Sequence, residues 1–248
     1  MTEKRVAIVT AAGHGMGEAT ARELAAQGWD LALMSPSGAS RKLAAELGAI
    51  GMDGSVTEPS DLDRLVGATL EGHSRIDAVV NNTGHAPWSR RASGPGYDPD
   101  LAPTLLTIPD EDWHGGLDLL LLNVVRMARL VAPIMVEQGG GAIVNISTFG
   151  ALEPRAIFPV SSCHRLALAG FTKLFADEYG KHHVRMNNVL PGFMENWPLD
   201  DAVRVSIPMA RPGRVSEVAK TVAFLVSEGG GYITGQNVLV DGGVNRSI

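Results

Sequence analysis

Thr10-Ala11-Ala12-Gly13-His14-Gly15-Met16-Gly17 follows an apolar run that begins at Val6. Small residues at this spacing let a backbone come close to a pyrophosphate. A helix beginning at Gly17 would turn its N-terminal amides toward the phosphates. The same residues also fit a tight glycine turn that holds no ligand. A second cluster lies far downstream, at Ser161-Ser162-Cys163-His164-Arg165. Ser161 and Arg165 stand at i, i+4 spacing, so they share one helix face and point at one cleft. The first brings a hydroxyl, the second a permanent cation with a fork of donors. Acid–base candidates are His85, directly after Asn81-Asn82-Thr83-Gly84, together with Glu153, Tyr97 and His164. A histidine or carboxylate does such work when a cleft sets its pKa suitably. Each also reads as an ordinary surface or packing residue, and His164 faces another side of the helix from Arg165. Cys163 reads as a small packing residue rather than a nucleophile. Arg90 and Arg91 either attract an anionic substrate or are solvated loop charges.

Short β-like runs and helical patterns alternate around these residues. Strands are expected at 6–10, 31–34, 49–56, 76–81, 142–147, 184–190 and 237–240. Several are almost continuously apolar, as parallel strands covered on both faces require. Helices are expected at 17–27, 40–47, 60–70, 117–136, 162–179 and 216–226. The alternation predicts an α/β fold: one Rossmann-type, doubly wound parallel sheet of about seven strands with helices on both faces. The segment 85–109 breaks the rhythm, being rich in Pro, Gly and Arg. A loop this long is usually functional or disordered, and it leaves the sheet at the edge where such folds bind ligands.

Composition narrows the function classes. At 248 residues the chain suits one domain, 1–248, with a full core. A net charge of -6 argues against a nucleic-acid partner or an anionic membrane surface. The one cysteine cannot form an intrachain disulfide, which fits a reducing compartment. No apolar run approaches the roughly 20 residues of a membrane helix. No signal-peptide core precedes the first strand, so a cytoplasmic location is expected. No cluster reads as a metal site.

Four ordered motifs together resemble the short-chain dehydrogenase/reductase family. They are the glycine turn Thr10–Gly17, Asn81-Asn82-Thr83-Gly84, Pro191-Gly192-Phe193, and Gly235-Gln236-Asn237-Val238-Leu239-Val240-Asp241-Gly242-Gly243. Ala11 replaces the family's first glycine, and Thr83 its alanine. The resemblance spans Lys4 to Gly243 and implies a bound NAD or NADP. It places the dinucleotide against Thr10, Gly13, His14, Gly15, Met16, Gly17, Asn82, Gly84, Arg165, Pro191, Gly192 and Met194. After the second strand, where an acid would hold the ribose hydroxyls and repel a 2′-phosphate, the chain has Ser35-Pro36-Ser37-Gly38-Ala39-Ser40-Arg41-Lys42. Ser35, Ser37 and Arg41 favour NADP, although Arg41 and Lys42 also read as a solvated first helical turn. Ser55-Val56 occupies the usual Asp-Val position beside the adenine.

The family's catalytic set is Asn, Ser, Tyr and Lys. The run Ser161–Lys173 aligns without gaps on Tyr-x-x-x-Lys-Ala-x-x-x-Gly-Phe-Thr-Lys. This puts Ser161 at the tyrosine and Arg165 at the lysine. Gly141–Thr148 matches Gly-x-Ile-Val-Asn-Ile-Ser-Ser, so Thr148 takes the serine position with Ser147 beside it. Counting from Trp113 or Pro133 puts Leu120 at the asparagine; Asn123 reaches that place only if the helix register slips. Thr148 and Arg165 keep polar function, whereas Ser161 is a far weaker acid than a phenol of pKa ~10. The resemblance therefore implies an oxidoreductase for a small alcohol or ketone with altered acid–base groups, where His85 or water moves the proton. A lyase, isomerase or dehalogenase-like enzyme on this frame, or a dinucleotide-binding regulatory protein without turnover, remains open. The apolar surface of 117–136 and 162–179 exceeds what one sheet face covers, so a homodimer or homotetramer through these helices is expected.

Overall fold

The computed structural model describes residues 4–83, 105–155 and 158–247. The chain forms β1 (Val6–Thr10), α1 (Gly15–Ala26), β2 (Asp30–Ser35), α2 (Ala39–Leu47), β3 (Ile50–Asp53), α3 (Pro59–His73) and β4 (Ala78–Asn81). There follow α4 (Asp110–Leu117), a π segment (Asp118–Leu122), α5 (Asn123–Glu137), β5 (Gly141–Ile146), α6 (Pro159–Tyr179) and β6 (Val184–Pro191). The last elements are α7 (Asp201–Ser206), α8 (Val215–Val226) and β7 (Asn237–Val240). All seven strands pair in parallel, in the order β3-β2-β1-β4-β5-β6-β7. The order reverses between β1 and β4. In this architecture the crevice at that reversal, beyond the carboxyl ends of the strands, is where ligands bind.

Successive strand residues feed two separate cores. Ala7, Val9, Leu33, Val80 and Val144 pack under α1, α2 and α8. Ile8, Ala32, Met34, Val79 and Ile143 pack under α3, α5 and α6. Burial on both faces explains why these strands lack an alternating polar pattern.

Three local expectations need correction. The third strand is four residues long, Ile50–Asp53, with the Gly54 amide after it donating to Ser35 O at 3.0 Å. The helix expected over 117–136 begins at Asp110 and is interrupted by the π segment. From Asp110 to Glu137 it runs 28 residues, with an 18-residue stretch of mean hydropathy 1.9, so the chain does hold a helix of membrane-spanning length and apolarity. Its Val124, Met127, Val131 and Met135 lie in the domain core. Finally, α7 has no counterpart in the sequence pattern; Asp200 caps it by accepting from Val203 N at 2.7 Å.

One polar row crosses the apolar sheet. Asn81, Asn145, Asn188 and Asn237 stand in register on β4, β5, β6 and β7. Each amide donates to the next carbonyl oxygen: Asn81 to Asn145 and Asn145 to Asn188 at 2.9 Å, and Asn188 to Asn237 at 2.8 Å. Thr172 of α6 donates to Asn188 Oδ1 at 3.0 Å, which ties that helix to the row.

Candidate functional site

The glycine turn sits at the β1–β4 reversal, and its backbone explains its composition. Ala11 holds φ at 48° and Gly15 at 60°, so the position where the family has its first glycine keeps left-handed geometry with alanine in it. Asn82 braces the turn: its Nδ2 donates to Ala11 O and its amide to Thr10 Oγ1, both at 3.1 Å. A Cβ on Gly17 would lie 2.4 Å from Ala11 O and 2.5 Å from Asn82 Nδ2. Overpacking of this kind costs roughly 1–3 kcal/mol. Gly17→Ala is therefore expected to lower thermal stability and to weaken dinucleotide binding at least tenfold, read by calorimetry; unchanged affinity would remove the turn from the site.

The β2–α2 connection uses its serine for its own shape. Ser35 is buried, donates to Ser37 O at 2.8 Å and accepts from Ser40 N at 3.3 Å. Its hydroxyl is thus engaged in the turn. Arg41 pairs with Asp53 at 2.8 Å, with side chains 63% and 42% exposed. A pair this exposed is worth little and exchanges readily for another anion. Ser55 N donates to Asp61 Oδ2 at 2.8 Å, Ser55 Oγ lies 2.7 Å from Thr57 Oγ1, and Val56 packs against the core.

The cleft itself opens where β1, β5 and β6 end. Met16 comes from the glycine turn and Ser147 and Thr148 from the end of β5. Ser161 comes from the first turn of α6, and Pro191, Gly192 and Met194 follow β6. The structure thus brings Met16, Ser147, Thr148, Ser161, Pro191, Gly192 and Met194 together in one lining, while the remaining sequence-predicted residues lie outside it. The Thr148 hydroxyl also accepts from Gly150 N at 3.4 Å, which orients it above a short 3₁₀ turn. His14, Gly15 and Met16 start α1, and the chain after β6 reaches back over them, with Asn196 Nδ2 3.1 Å from where a Gly15 Cβ would be.

Arg165 lies beneath the cleft rather than in its wall. It is 4% exposed, and donates to Ile146 O at 2.6 Å and to Thr83 O at 3.4 Å. Nε has no partner, and no carboxylate pairs with the guanidinium among the described residues. Burial pushes its pKa down to about 10, which leaves it charged at neutral pH. The floor of the site is therefore a fixed positive charge, held by the carbonyls at the ends of β4 and β5.

The other candidates are dispersed. Glu153 pairs with Arg155 at 3.1 Å and accepts from Arg246 N at 2.8 Å. The Arg246 amide and the Arg155 guanidinium hold its carboxyl below the usual range, and it fastens the C-terminal segment outside the cleft lining. His164 Nδ1 lies 2.9 Å from Val160 O, and its ring packs on Trp113 at 6.0 Å, which makes it a packing residue. Cys163 is exposed, against the expectation of a packed thiol. Leu120 is buried in the π segment, and the Asn123 side chain donates back to Leu119 O of its own helix. Gly84, His85, Arg90, Arg91, Tyr97 and most of the segment 85–109 lie outside the described residues.

Sequence reasoning missed the aromatic lining. Phe149, Phe158, Phe193 and Trp197 all face the cleft. The signal for two of them was present, since Phe149 follows Ser147-Thr148 and Phe193 follows Pro191-Gly192. Phe158 and Trp197 stand next to no motif.

Comparison with known proteins agrees with this geometry. Residues 10–245 match the family model described as enoyl-(acyl carrier protein) reductase. A 3-oxoacyl-[acyl-carrier-protein] reductase of Synechocystis is 33% identical over 97% of this chain and 96% of that protein. A 7alpha-hydroxysteroid dehydrogenase of Bacteroides fragilis is 31% identical over 98% and 95%. A solved 3-ketoacyl-(acyl-carrier-protein) reductase from Brucella melitensis, complexed with NADH, superposes with a TM-score of 0.88 at 25% identity over 99% of this chain and 100% of that one. The glycine turn, the strand order and a match over nearly every residue converge: the chain belongs to the short-chain dehydrogenase/reductase family of NAD(P)-dependent oxidoreductases.

Proposed function

We propose that the chain interconverts a small ketone and its alcohol at this cleft, with NADP as the preferred dinucleotide and a non-standard acid–base set. One observation carries this reading: the Ser147, Thr148 and Ser161 hydroxyls converge with Met16 and Pro191-Gly192 on one cleft above the buried Arg165. The residues fit a dinucleotide. Gly17 leaves no room for a side chain at the turn, α1 starts there, and the orphaned Arg165 Nε is a donor in need of an acceptor. Thr10, Gly13–Gly17 and Asn82 would hold the phosphates and adjoining ribose, and Arg165 the second ribose.

A bound dinucleotide supplies or accepts the hydride. The Thr148 and Ser161 hydroxyls orient the substrate oxygen by hydrogen bonds. The Arg165 charge favours negative charge developing on that oxygen. A serine hydroxyl is too weak an acid to release the proton itself, so the cleft hydroxyls pass it from solvent. Support for NADP is the absence of an acid after Ser35 and the loosely paired Arg41. Leu166 and Leu174, 53% and 69% exposed on α6, support a homo-oligomer through that helix and its neighbour α5.

Serine at the tyrosine position and buried Leu120 at the asparagine position favour a second reading, in which the protein binds dinucleotide without turnover, or runs a non-redox reaction. Calorimetric titration with NAD, NADH, NADP and NADPH, followed by hydride-exchange assays on alcohols and ketones, separates these readings. NADPH binding about tenfold tighter than NADH, with exchange, is expected. Binding without exchange across the panel leaves the silent sensor, and no binding of any of the four leaves the non-redox enzyme.

A further inference from the structure

We infer that the C-terminal segment 241–246 is a clip that fixes the substrate side of the cleft, with Val244 as a positioning residue for Thr148 and for the wall that follows β6. The inference rests on the oxidoreductase reading of the cleft, which gives that wall a substrate to hold. After β7 the chain turns sharply. Asp241 caps the turn, accepting from Gly243 N at 2.9 Å and from Asn245 N at 2.7 Å. The turn sets Val244 in a buried cluster with Phe149, which follows Thr148, and with Ile207, which follows α7. Phe193, from the segment after β6, packs on the same cluster and lies 5.4 Å from Phe149 between ring centroids. Phe149 and Phe193 line the cleft, and Val244 supports them from the side away from it.

Two walls of the site depend on this contact. The first is the chain over 191–213. It lines the cleft at Pro191, Gly192, Phe193, Met194 and Asn196, then leaves it through α7. Backbone pairing closes its base: Glu195 N donates to Gly213 O at 2.8 Å, and Gly213 N to Phe193 O at 2.9 Å. Beyond that base, Ile207 is the one buried residue over 201–210. Its seat is the Val244 cluster, and the nearby Met209 amide donates to Gly242 O at 3.2 Å. Val205 and Met209 are 85% and 58% exposed, so they add little apolar anchorage. The second wall is the 3₁₀ turn after β5. Phe149 O accepts from Asn245 Nδ2 at 3.5 Å, and Glu153 accepts from the Arg246 amide at 2.8 Å. The Thr148 hydroxyl bonds the Gly150 amide inside this turn, so movement of the turn carries Thr148 with it. A displacement of about 1 Å at a group that positions substrate costs roughly a hundredfold in rate. The glycine turn that faces the dinucleotide is braced separately, by Asn82.

Val244→Ser removes the apolar contact and keeps the backbone. Hydrogen exchange read by mass spectrometry should show the amides of 201–210 and 148–153 exchanging about tenfold faster, as local opening does, with 6–17 unchanged. NADPH affinity, titrated by calorimetry, should stay close to native. For the ketone that the native protein reduces fastest, the ketone KM should rise about tenfold while the NADPH KM holds. Val244→Ile keeps a branched apolar side chain and should restore both exchange and KM. At the other anchor, Glu153→Ala should quicken exchange over 148–153. Glu153→Gln keeps an oxygen for the Arg246 amide and should not. The Glu153 pair decides the matter if Val244→Ser fails to fold. Unchanged exchange over 201–210 in Val244→Ser overturns the inference. So does faster exchange across the whole sheet, which would make Val244 a general core residue. A native protein that reduces no ketone overturns the oxidoreductase reading instead, and the exchange data still decide the clip, so the two failures are told apart.

Discussion

Arg165→Met is expected to lower turnover by roughly two to four orders of magnitude, weaken dinucleotide binding at least tenfold, and leave the melting temperature unchanged or higher. These effects oppose each other because the guanidinium is buried without a counter-ion. Desolvating a charge costs several kcal/mol even after the protein relaxes. Two carbonyl contacts, at 2.6 and 3.4 Å, return about 1.5–3 kcal/mol each at best. Methionine replaces the apolar stem without the guanidinium and so removes both the cost and the bonds. The acid–base sign agrees. Burial lowers the pKa to about 10, so the unfolded chain binds this proton more tightly than the folded one. The penalty on folding is complete below about pH 10 and fades only as pH rises above it. Arg165→Lys keeps a cation on the same helix face and should recover much of the binding that methionine loses. The checks are calorimetry for the dinucleotide, initial rates for turnover and a thermal melt for stability. A variant that binds and turns over normally but melts far lower would make Arg165 a structural residue only.

The elements that could be read from the sequence are those in which one local signal decides the outcome. The first strand and the glycine turn are fixed by an apolar run that stops at small residues, and Gly17 by a position that rejects a Cβ. Ser161 and Arg165 were legible as a pair because helical spacing alone puts them on one face. That spacing could not say which lines the cleft and which lies under it, since depth depends on how α6 packs on the sheet. Ser35 looked like a ligand-binding hydroxyl, but the turn it belongs to uses both its donor and its acceptor. Glu153 looked like a free carboxylate until the C-terminal segment, 93 residues on, supplied its partner. The aromatic lining of the cleft was the least legible feature. Its four rings come from four places in the chain, and only the fold makes them neighbours.

Asn145→Leu is expected to cost about 3–5 kcal/mol, which in a chain of this length lowers the melting temperature by roughly 6–20 °C. Asn145 is the one member of the asparagine row that both receives from one buried neighbour and donates to another. Replacing it leaves the Asn81 amide, 2% exposed, without its acceptor. Asn188 Oδ1 keeps its bond from Thr172 and suffers less. A buried donor left unpaired costs about 1–3 kcal/mol, and the larger leucine at a fully buried position adds overpacking strain. The row thus predicts an order of effects. Asn237→Leu, at the half-buried end, should cost below about 1 kcal/mol, because water replaces the lost bond. Equal melting shifts at 145 and 237 would show that the row is no energetic unit. The damage at Asn145 should also reach the cleft. Ile146, whose carbonyl anchors Arg165, is its neighbour, and Ser147 follows. Slippage by one residue would turn every apolar side chain of β5 to the opposite core. An unbroken polar row across the four strands resists that slip, since amides must meet amides in register. The hydroxyls of the cleft are placed by the same register that the asparagines enforce, so Asn145→Leu should lower turnover even in the fraction that remains folded.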